Sequence, residues 1–75
     1  MKLNYQVTIG GTSAHITTQN SVQLFNNWND ALNYFYDKCE SFGISNYDLT
    51  IGDDYAYSSI IGYDYVVSLD KIENI

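Results

Sequence analysis

Positive charge is almost missing from this sequence, which has no arginine and only three lysines against nine acidic residues. The formal net charge is −6 at pH 7. Direct binding to DNA or RNA requires clustered lysine and arginine that displace counterions from the phosphates. Lys2, Lys38 and Lys71 are scattered, so we expect neither direct nucleic-acid binding nor attraction to an anionic membrane. A basic protein surface is the partner towards which this charge would steer the chain.

Cysteine is also scarce, because Cys39 is the only one. A single cysteine cannot form an internal disulfide, and no hydrophobic run resembles a signal peptide or a membrane span. A small chain without disulfides is typical of a reducing compartment. We therefore expect a single small domain over residues 1–75 in the cytoplasm, or in the host cytoplasm if the protein is phage-encoded.

Catalytic and metal-binding signatures are lacking as well. A Cys–His pair could transfer acyl groups if the two side chains met, but Cys39 falls on a predicted buried face and His15 on a predicted polar one. Two such ligands are also too few for a structural zinc site. Asp53 and Asp54 beside Asp64 offer oxygen ligands without EF-hand spacing. We therefore expect no enzyme, no cofactor and no metal site.

The sequence does contain one strong helical pattern, between Asn27 and Gly43. At about 100° per residue, six of its side chains fall within one sector roughly 120° wide, as expected for a helix that buries one face. Asn27 can cap the first turn, with Asp30 in a position related to the capping box. Gly43 suits a left-handed C-terminal position from which Ile44 folds back. The pattern predicts a helix over residues 28–42, with a buried stripe of Trp28, Leu32, Phe35, Tyr36, Cys39 and Phe42.

Alternating apolar residues predict strands on both sides of this helix. Residues 2–9 and 12–18 alternate, and Gly10-Gly11 between them is typical of a two-residue hairpin turn. Residues 19–26 begin as a loop, and their apolar residues Val22, Leu24 and Phe25 are expected to tuck under the helix entry, as a short extended piece or an early turn. Three further strands, separated by a Gly52-Asp53-Asp54 turn and by Gly62, are predicted over residues 47–51, 55–60 and 63–70.

The predicted element order is β-β-α-β-β-β, and the short turns favour antiparallel neighbours. We therefore expect an α+β fold in which an antiparallel sheet of four to five strands carries one amphipathic helix on one face. The expected core combines inward strand residues with the helix stripe: Tyr5, Val7, Ile9, Ile16, Trp28, Leu32, Phe35, Cys39, Phe42, Leu49, Ile51, Val67 and Leu69.

Acids and tyrosines supply the candidate protein-binding residues. Eight tyrosines exceed what so small a core can use, and tyrosine is favoured at protein interfaces. Tyrosine beside aspartate suits a partner rich in arginine and lysine, through cation–π contacts and ion pairs. A simpler interpretation stays open, in which the acids solvate the surface and the tyrosines form cross-strand pairs. If Leu49 and Val67 face the helix, alternation places Asp48, Asp64 and Asp70 on the opposite, open side of the sheet. The candidates are this sheet set (Asp48, Asp64, Asp70), a turn pair (Asp53, Asp54), a helix set (Asp30, Asp37, Glu40) and three tyrosines (Tyr34, Tyr55, Tyr57).

These features predict a small acidic, non-enzymatic protein-binding module. Its sharpest form is a nucleic-acid mimic, an inhibitor that occupies the basic, nucleic-acid-binding surface of another protein. In size, acidity and lack of catalytic groups the chain is similar to small phage-encoded inhibitors of host defence, such as anti-CRISPR and antirestriction proteins. This likeness is one of composition over the whole chain. The alternative is a structural or oligomerising module that self-associates, for example as a homodimer, through the edges of its sheet.

Overall fold

A five-stranded antiparallel sheet carries one helix on one face, in the computed structural model that describes residues 4–11 and 21–72. The α+β class and the element order β-β-α-β-β-β are confirmed. Among these described residues, no helix combines the length and apolar character needed to cross a membrane. The elements are β1 (Tyr5–Gly11), β2 (Ser21–Phe25), α1 (Trp28–Ser41), a 3₁₀ turn (Asn46–Asp48), β3 (Leu49–Ile51), β4 (Tyr55–Ser58) and β5 (Tyr65–Lys71).

The strand order across the sheet is β2-β1-β5-β4-β3. The last strand, β5, lies between β1 and β4 and pairs with β1 over the full length of both strands. Val7 of β1 stands opposite Leu69 of β5, and both side chains are fully buried beneath α1. The first and last strands therefore form the centre of the fold, and β2 and β3 form its two edges.

The turn after β1 does not lie where the sequence pattern placed it. Gly10 and Gly11 continue β1 opposite Val66 and Tyr65 of β5, and neither glycine has a positive φ. A glycine pair permits positive φ without requiring it, and here pairing with β5 keeps both residues extended. The antiparallel partner of β1 is β2, within the segment expected to be a loop with a short extended piece. The return strand predicted over residues 12–18 lies outside the described residues.

Both ends of α1 carry the predicted capping residues. The side-chain oxygen of Asn27 accepts a 2.8 Å hydrogen bond from the Asp30 backbone N–H. The Asn27 amide donates in turn to the Asp30 carboxylate at 2.8 Å. At the other end Gly43 has a φ of 73°, and the N–H groups of Gly43 and Ile44 close onto the last turn at 3.0 and 2.9 Å. This is a Schellman motif, in which Ile44 folds back into the core.

The buried stripe of α1 differs in part from the predicted one. Ala31, Phe35 and Cys39 are buried, whereas Tyr36 is 40% exposed. The helix packs mainly on β5 and β1 and extends towards β2. Tyr34 is therefore half-buried against the core, although the helical pattern placed it outside the stripe.

The rest of the predicted core is confirmed at most described positions. Val7, Val67 and Leu69 are fully buried, and Tyr5, Ile9, Trp28, Leu32, Phe42 and Leu49 pack against them half-buried. Ile51 is 42% exposed, because β3 lies at the sheet edge beyond the main contacts of α1. Ile16 lies outside the described residues. Three small residues that the pattern missed, Ala31, Ala56 and Ser58, complete the core together with Ile44, which folds back from the end of α1 as expected.

Ser58 is the one polar side chain buried among the described residues. Its hydroxyl oxygen accepts a 2.9 Å hydrogen bond from the Val67 backbone N–H. The backbone pairing of β4 with β5 covers Tyr55 to Tyr57 only. The Ser58 side chain therefore satisfies a buried donor of β5 where the strand ladder has ended.

We expect Ser58→Ala to lower the free energy of unfolding by about 1–3 kcal/mol, because it leaves the buried Val67 N–H without an acceptor. Urea unfolding monitored by tryptophan fluorescence measures this. Ser59→Ala is the matched control, because the Ser59 hydroxyl accepts from Ile61 N–H near the surface and should cost less than about 0.5 kcal/mol. Equal losses for the two variants would contradict the role assigned to Ser58.

Candidate protein-binding surface

The sheet face opposite α1, called here the open face, is defined by strand alternation. Val7 and Leu69 point towards α1, so their neighbours in sequence point away from it. Several of the outward residues are exposed although they are apolar or aromatic, including Val22, Leu24, Tyr55 and Tyr57. The outward residues are Val22 and Leu24 from β2, Gln6, Thr8 and Gly10 from β1, Val66, Ser68 and Asp70 from β5, Tyr55 and Tyr57 from β4, and Thr50 from β3.

The predicted set of acids on this face does not form as expected. Asp48 is half-buried in the 3₁₀ turn, where its carboxylate accepts a 2.5 Å hydrogen bond from the Tyr63 hydroxyl. The same hydroxyl accepts from Ser45 N–H at 3.2 Å. Asp64 is exposed but precedes β5, at the opposite end of that strand from Asp70. Asp48 belongs to the 3₁₀ turn and not to β3, so the alternation of side chains along a strand does not fix the direction of its carboxylate.

Five candidate residues do come together, at the end of the sheet where β4 begins and β5 ends. Tyr55 stands directly opposite Asp70 in the pairing of β4 with β5. The rings of Tyr55 and Tyr57 stack with centroids 6.2 Å apart and planes 15° apart. Asp53 and Asp54 form the turn that leads into Tyr55. We call this set of five exposed residues the acidic-aromatic corner.

Backbone contacts hold the corner in this shape. The Gly52 N–H donates to the Tyr55 carbonyl at 2.8 Å, and the Lys71 N–H donates to the Asp54 carbonyl at 3.2 Å. A β-carbon on Gly52 would lie 2.2 Å from the Tyr55 ring. Only glycine lets the ring lie over the turn in this way, so the predicted Gly52-Asp53-Asp54 turn also positions an aromatic side chain.

The three carboxylates of the corner are available to a partner. Within the described part of the chain, the side chains of Asp53, Asp54 and Asp70 have no ion pair or hydrogen bond. Lys71 follows Asp70, but strand alternation directs its side chain towards the opposite face. Free carboxylates can accept hydrogen bonds from lysine or arginine, and an exposed tyrosine ring can contact the same cations through its face.

The helix acids lie on the other side of the molecule. Asp30 is engaged in the cap with Asn27, and Asp37 and Glu40 are exposed on the solvent side of α1. Tyr34 has an internal contact, because its ring packs on Phe25 with centroids 5.2 Å apart. The Lys38 ammonium lies 5.3 Å from the centre of the same ring. These four candidates are therefore separate from the acidic-aromatic corner.

Sequence reasoning missed the apolar part of the open face. Val22 and Leu24 are 54% and 41% exposed on the face away from α1, so the expectation that they tuck under the helix entry is wrong. Of the three apolar residues in this segment, only Phe25 packs beneath the helix, against Tyr34. The alternation of Val22 and Leu24 with Ser21 and Gln23 was the signal. Phe25 obscured it, because two adjacent apolar residues break a period of two.

The groups with catalytic potential do not form a site within the described residues. Cys39 is 1% exposed, and burial raises the pKa of its thiol to about 11, which leaves it protonated and unreactive near neutral pH. His15 lies outside the described residues. In the described ranges, no group of three His, Cys, Asp or Glu side chains is placed to hold a metal ion.

We expect Cys39 to make the protein lose stability between pH 9 and pH 11. In this range the unfolded thiol, with a pKa of 9.0, ionises before the folded one, whose pKa is about 11. The Cys39 contribution to the free energy of unfolding keeps its full value below pH 9 and falls as the pH rises towards 11. The total loss is about 2–3 kcal/mol, because the pKa of the thiol is raised from 9.0 to about 11 on folding. Urea unfolding across this range measures it, and Cys39→Ala separates it from tyrosine ionisation. Parallel pH profiles for the two proteins would contradict the expectation.

Similarity to known proteins adds nothing to this geometry. No protein-family model, no curated protein and no solved structure matches the chain.

Proposed function

We propose that this chain is a non-enzymatic protein-binding module whose acidic-aromatic corner docks on a basic surface of another protein. The observation that carries the proposal is the register of β4 and β5, which sets Tyr55 opposite Asp70 beside the stacked ring of Tyr57. Two exposed rings lie next to carboxylates that have no ion pair among the described residues, and both kinds of group bind guanidinium and ammonium ions.

The charge of the chain supports a basic partner. The net charge is −6, and the corner holds three carboxylates that form no ion pair within residues 4–11 and 21–72. Complementary charge raises the association rate and selects against acidic surfaces. The tyrosine rings provide contact area at low entropic cost, as they do at the centre of many interfaces.

The sharper form of the proposal is an inhibitor that occupies a nucleic-acid-binding surface. Such surfaces present arginine and lysine to bind phosphates and stack on bases. Carboxylates beside aromatic rings can engage the same side chains. The similarity in composition to phage anti-CRISPR and antirestriction inhibitors supports this form, which places the protein in the cytoplasm, or in the host cytoplasm if it is phage-encoded.

We expect the triple variant Asp53→Asn, Asp54→Asn, Asp70→Asn to bind its partner at least about tenfold more weakly at low salt, a loss of roughly 1.4 kcal/mol or more. The partner is first captured from lysate of the source cells, eluted with rising salt and purified. Calorimetric titration then gives the dissociation constant, and displacement of labelled DNA or RNA from the partner tests inhibition.

The matched control removes the same number of charges elsewhere, through Asp37→Asn, Glu40→Gln and Asp64→Asn. This control should retain most of the affinity, because its residues lie on the solvent side of α1 and at the far end of β5. A larger loss of affinity in the control would instead place the binding surface at the solvent side of α1 or at the start of β5, where these three residues lie. If excess nucleic acid does not weaken binding of the partner to this chain, the two do not share a surface. That result would contradict the inhibitor form and leave the protein-binding proposal standing.

We expect Tyr57→Ala to weaken the same complex by about 2 kcal/mol, as buried aromatic residues at interface centres do. Tyr57 is 48% exposed in the free protein and its ring stacks on Tyr55, so its removal should also lower the free energy of unfolding, by about 1 kcal/mol. Urea unfolding of the variant checks that it remains folded. Tyr47→Ala is the control, because Tyr47 is 99% exposed and lies outside the corner. Equal affinities for native protein and Tyr57→Ala would exclude the open face of β4 from the interface.

A further inference from the structure

The two edges of the sheet differ in how they are protected. Proteins blunt edge strands with charges, proline, bulges or short length, because exposed edges pair with other chains. The β3 edge has only three residues and is bracketed by Asp48 and the acidic turn at residues 52–54. The β2 edge has five residues, SVQLF, with no charge and no proline. It is the less protected edge of the described sheet.

Charge is distributed unequally between the same two edges. Asp30 is the first acidic residue in the sequence, so neither β1 nor β2 contains one. The acids of the sheet lie with β3, β4 and β5. In a chain with a net charge of −6, the β2 edge is therefore the edge of the sheet at which two copies approach with less repulsion.

The hydrogen-bond pattern shows which peptide groups of β2 face outward. The N–H of Ile72 donates to the Asn4 carbonyl at 2.7 Å, across the extension of the β1–β5 pair. Alternation then directs the backbone N–H and C=O groups of Gln6 and Thr8 towards β5. The backbone groups of Val7 point the other way, towards its partner Gln23 in β2. Val22 and Leu24 consequently turn their N–H and C=O groups away from β1. No further hydrogen bond of these two residues is present among the described contacts.

We propose that β2 pairs with β2 of a second copy of this chain, antiparallel and centred on Gln23, to form a homodimer. In this register Val22 stands opposite Leu24 of the second copy, and each such pair exchanges two backbone hydrogen bonds. The segment is self-complementary, because a two-fold axis through Gln23 places Val22 of each copy opposite Leu24 of the other. The exposed side chains of Val22 and Leu24 then form one apolar cluster across the axis, on the open face.

The dimer keeps the two acidic-aromatic corners apart. In the strand order β2-β1-β5-β4-β3, seven strand spacings separate β4 from β4 of the second copy, which is about 33 Å at 4.7–4.9 Å per spacing. This exceeds the Debye length of about 8 Å at physiological salt. The axis is perpendicular to the sheet, so both acidic-aromatic corners stay uncovered on the same side. The proposal does not depend on what the corners bind.

The contact is small, since one five-residue strand pair buries less than the roughly 1,200–2,000 Å² of a stable interface. We therefore expect reversible association that depends on protein concentration. Because the joined strand carries no charge, association should persist as salt rises. This separates it from the salt-sensitive binding proposed for the corner.

Sedimentation equilibrium of the purified chain over a range of concentrations tests the dimer. The native protein should shift from monomer to dimer mass as concentration rises. Val22→Pro should stay monomeric with an unchanged unfolding transition, because it removes an outward N–H that the monomer does not use. Ile51→Pro is the matched control on the β3 edge and should dimerise like the native protein. Native protein that is monomeric up to millimolar concentration, or Val22→Pro that dimerises normally, would overturn the proposal.

Disulfide trapping tests the register without relying on a proline variant. Across a non-hydrogen-bonded antiparallel pair the two Cα atoms lie about 4.5 Å apart, within disulfide range. Gln23→Cys should therefore form a covalent dimer under mild oxidation. Ser21→Cys, on the same face of β2, should not, because the two copies of residue 21 lie about 14 Å apart in this register. Equal trapping of both variants, or of neither, would rule out the register; buried Cys39 does not compete.

Discussion

The pairing of β1 with β5 is the contact on which the rest of the structure depends. It joins the first and last strands over seven residue pairs and places Val7, Val67 and Leu69 under the helix. Without it, the β1–β2 pair and the β3–β4 pair would be separate ribbons, each too small to be stable alone. The closure entropy of so long a loop must be offset by the burial that follows. This explains why the largest buried side chains, led by Phe35 and Leu69, lie where α1 crosses this central pair.

The same pairing also divides the surface into two parts. Because β5 is inserted between β1 and β4, the acid-free N-terminal strands end the sheet on one side and the acidic strands on the other. The acidic-aromatic corner and the β2 edge are thus far apart in the sheet. A basic partner and a second copy of the chain could be bound together without competing for area. Bivalent display of the corner would then raise the apparent affinity for a partner that offers two sites.

The position of the helix decides the role of several aromatic residues. On the helical wheel Tyr34 and Tyr36 are nearly equivalent, on opposite flanks of the buried stripe. Tyr34 contacts Phe25 of β2, whereas Tyr36 lies on the side where the sheet ends in the short β3 strand. Phe42 stacks on Tyr65 with ring centroids 4.5 Å apart and anchors the C-terminal end of α1 to the start of β5. Several tyrosines thus support the fold, whereas Tyr55 and Tyr57 are exposed as a stacked pair on the open face.

Local signals in the sequence alone determined the helix and its caps at Asn27 and Gly43, the Gly52 turn, the alternation of β4 and β5, and hence the fold class. These features depend on neighbouring residues, whose backbone preferences and periodicity are visible in one dimension. Tertiary structure alone decided three other features. Gly10-Gly11 stays extended against β5, the Asp48 carboxylate accepts a hydrogen bond from the Tyr63 hydroxyl, and Tyr55 stands opposite Asp70. Each of these depends on pairing between distant segments. That pairing is set by burial of the whole core, because a glycine, an aspartate or a tyrosine is compatible locally with several environments.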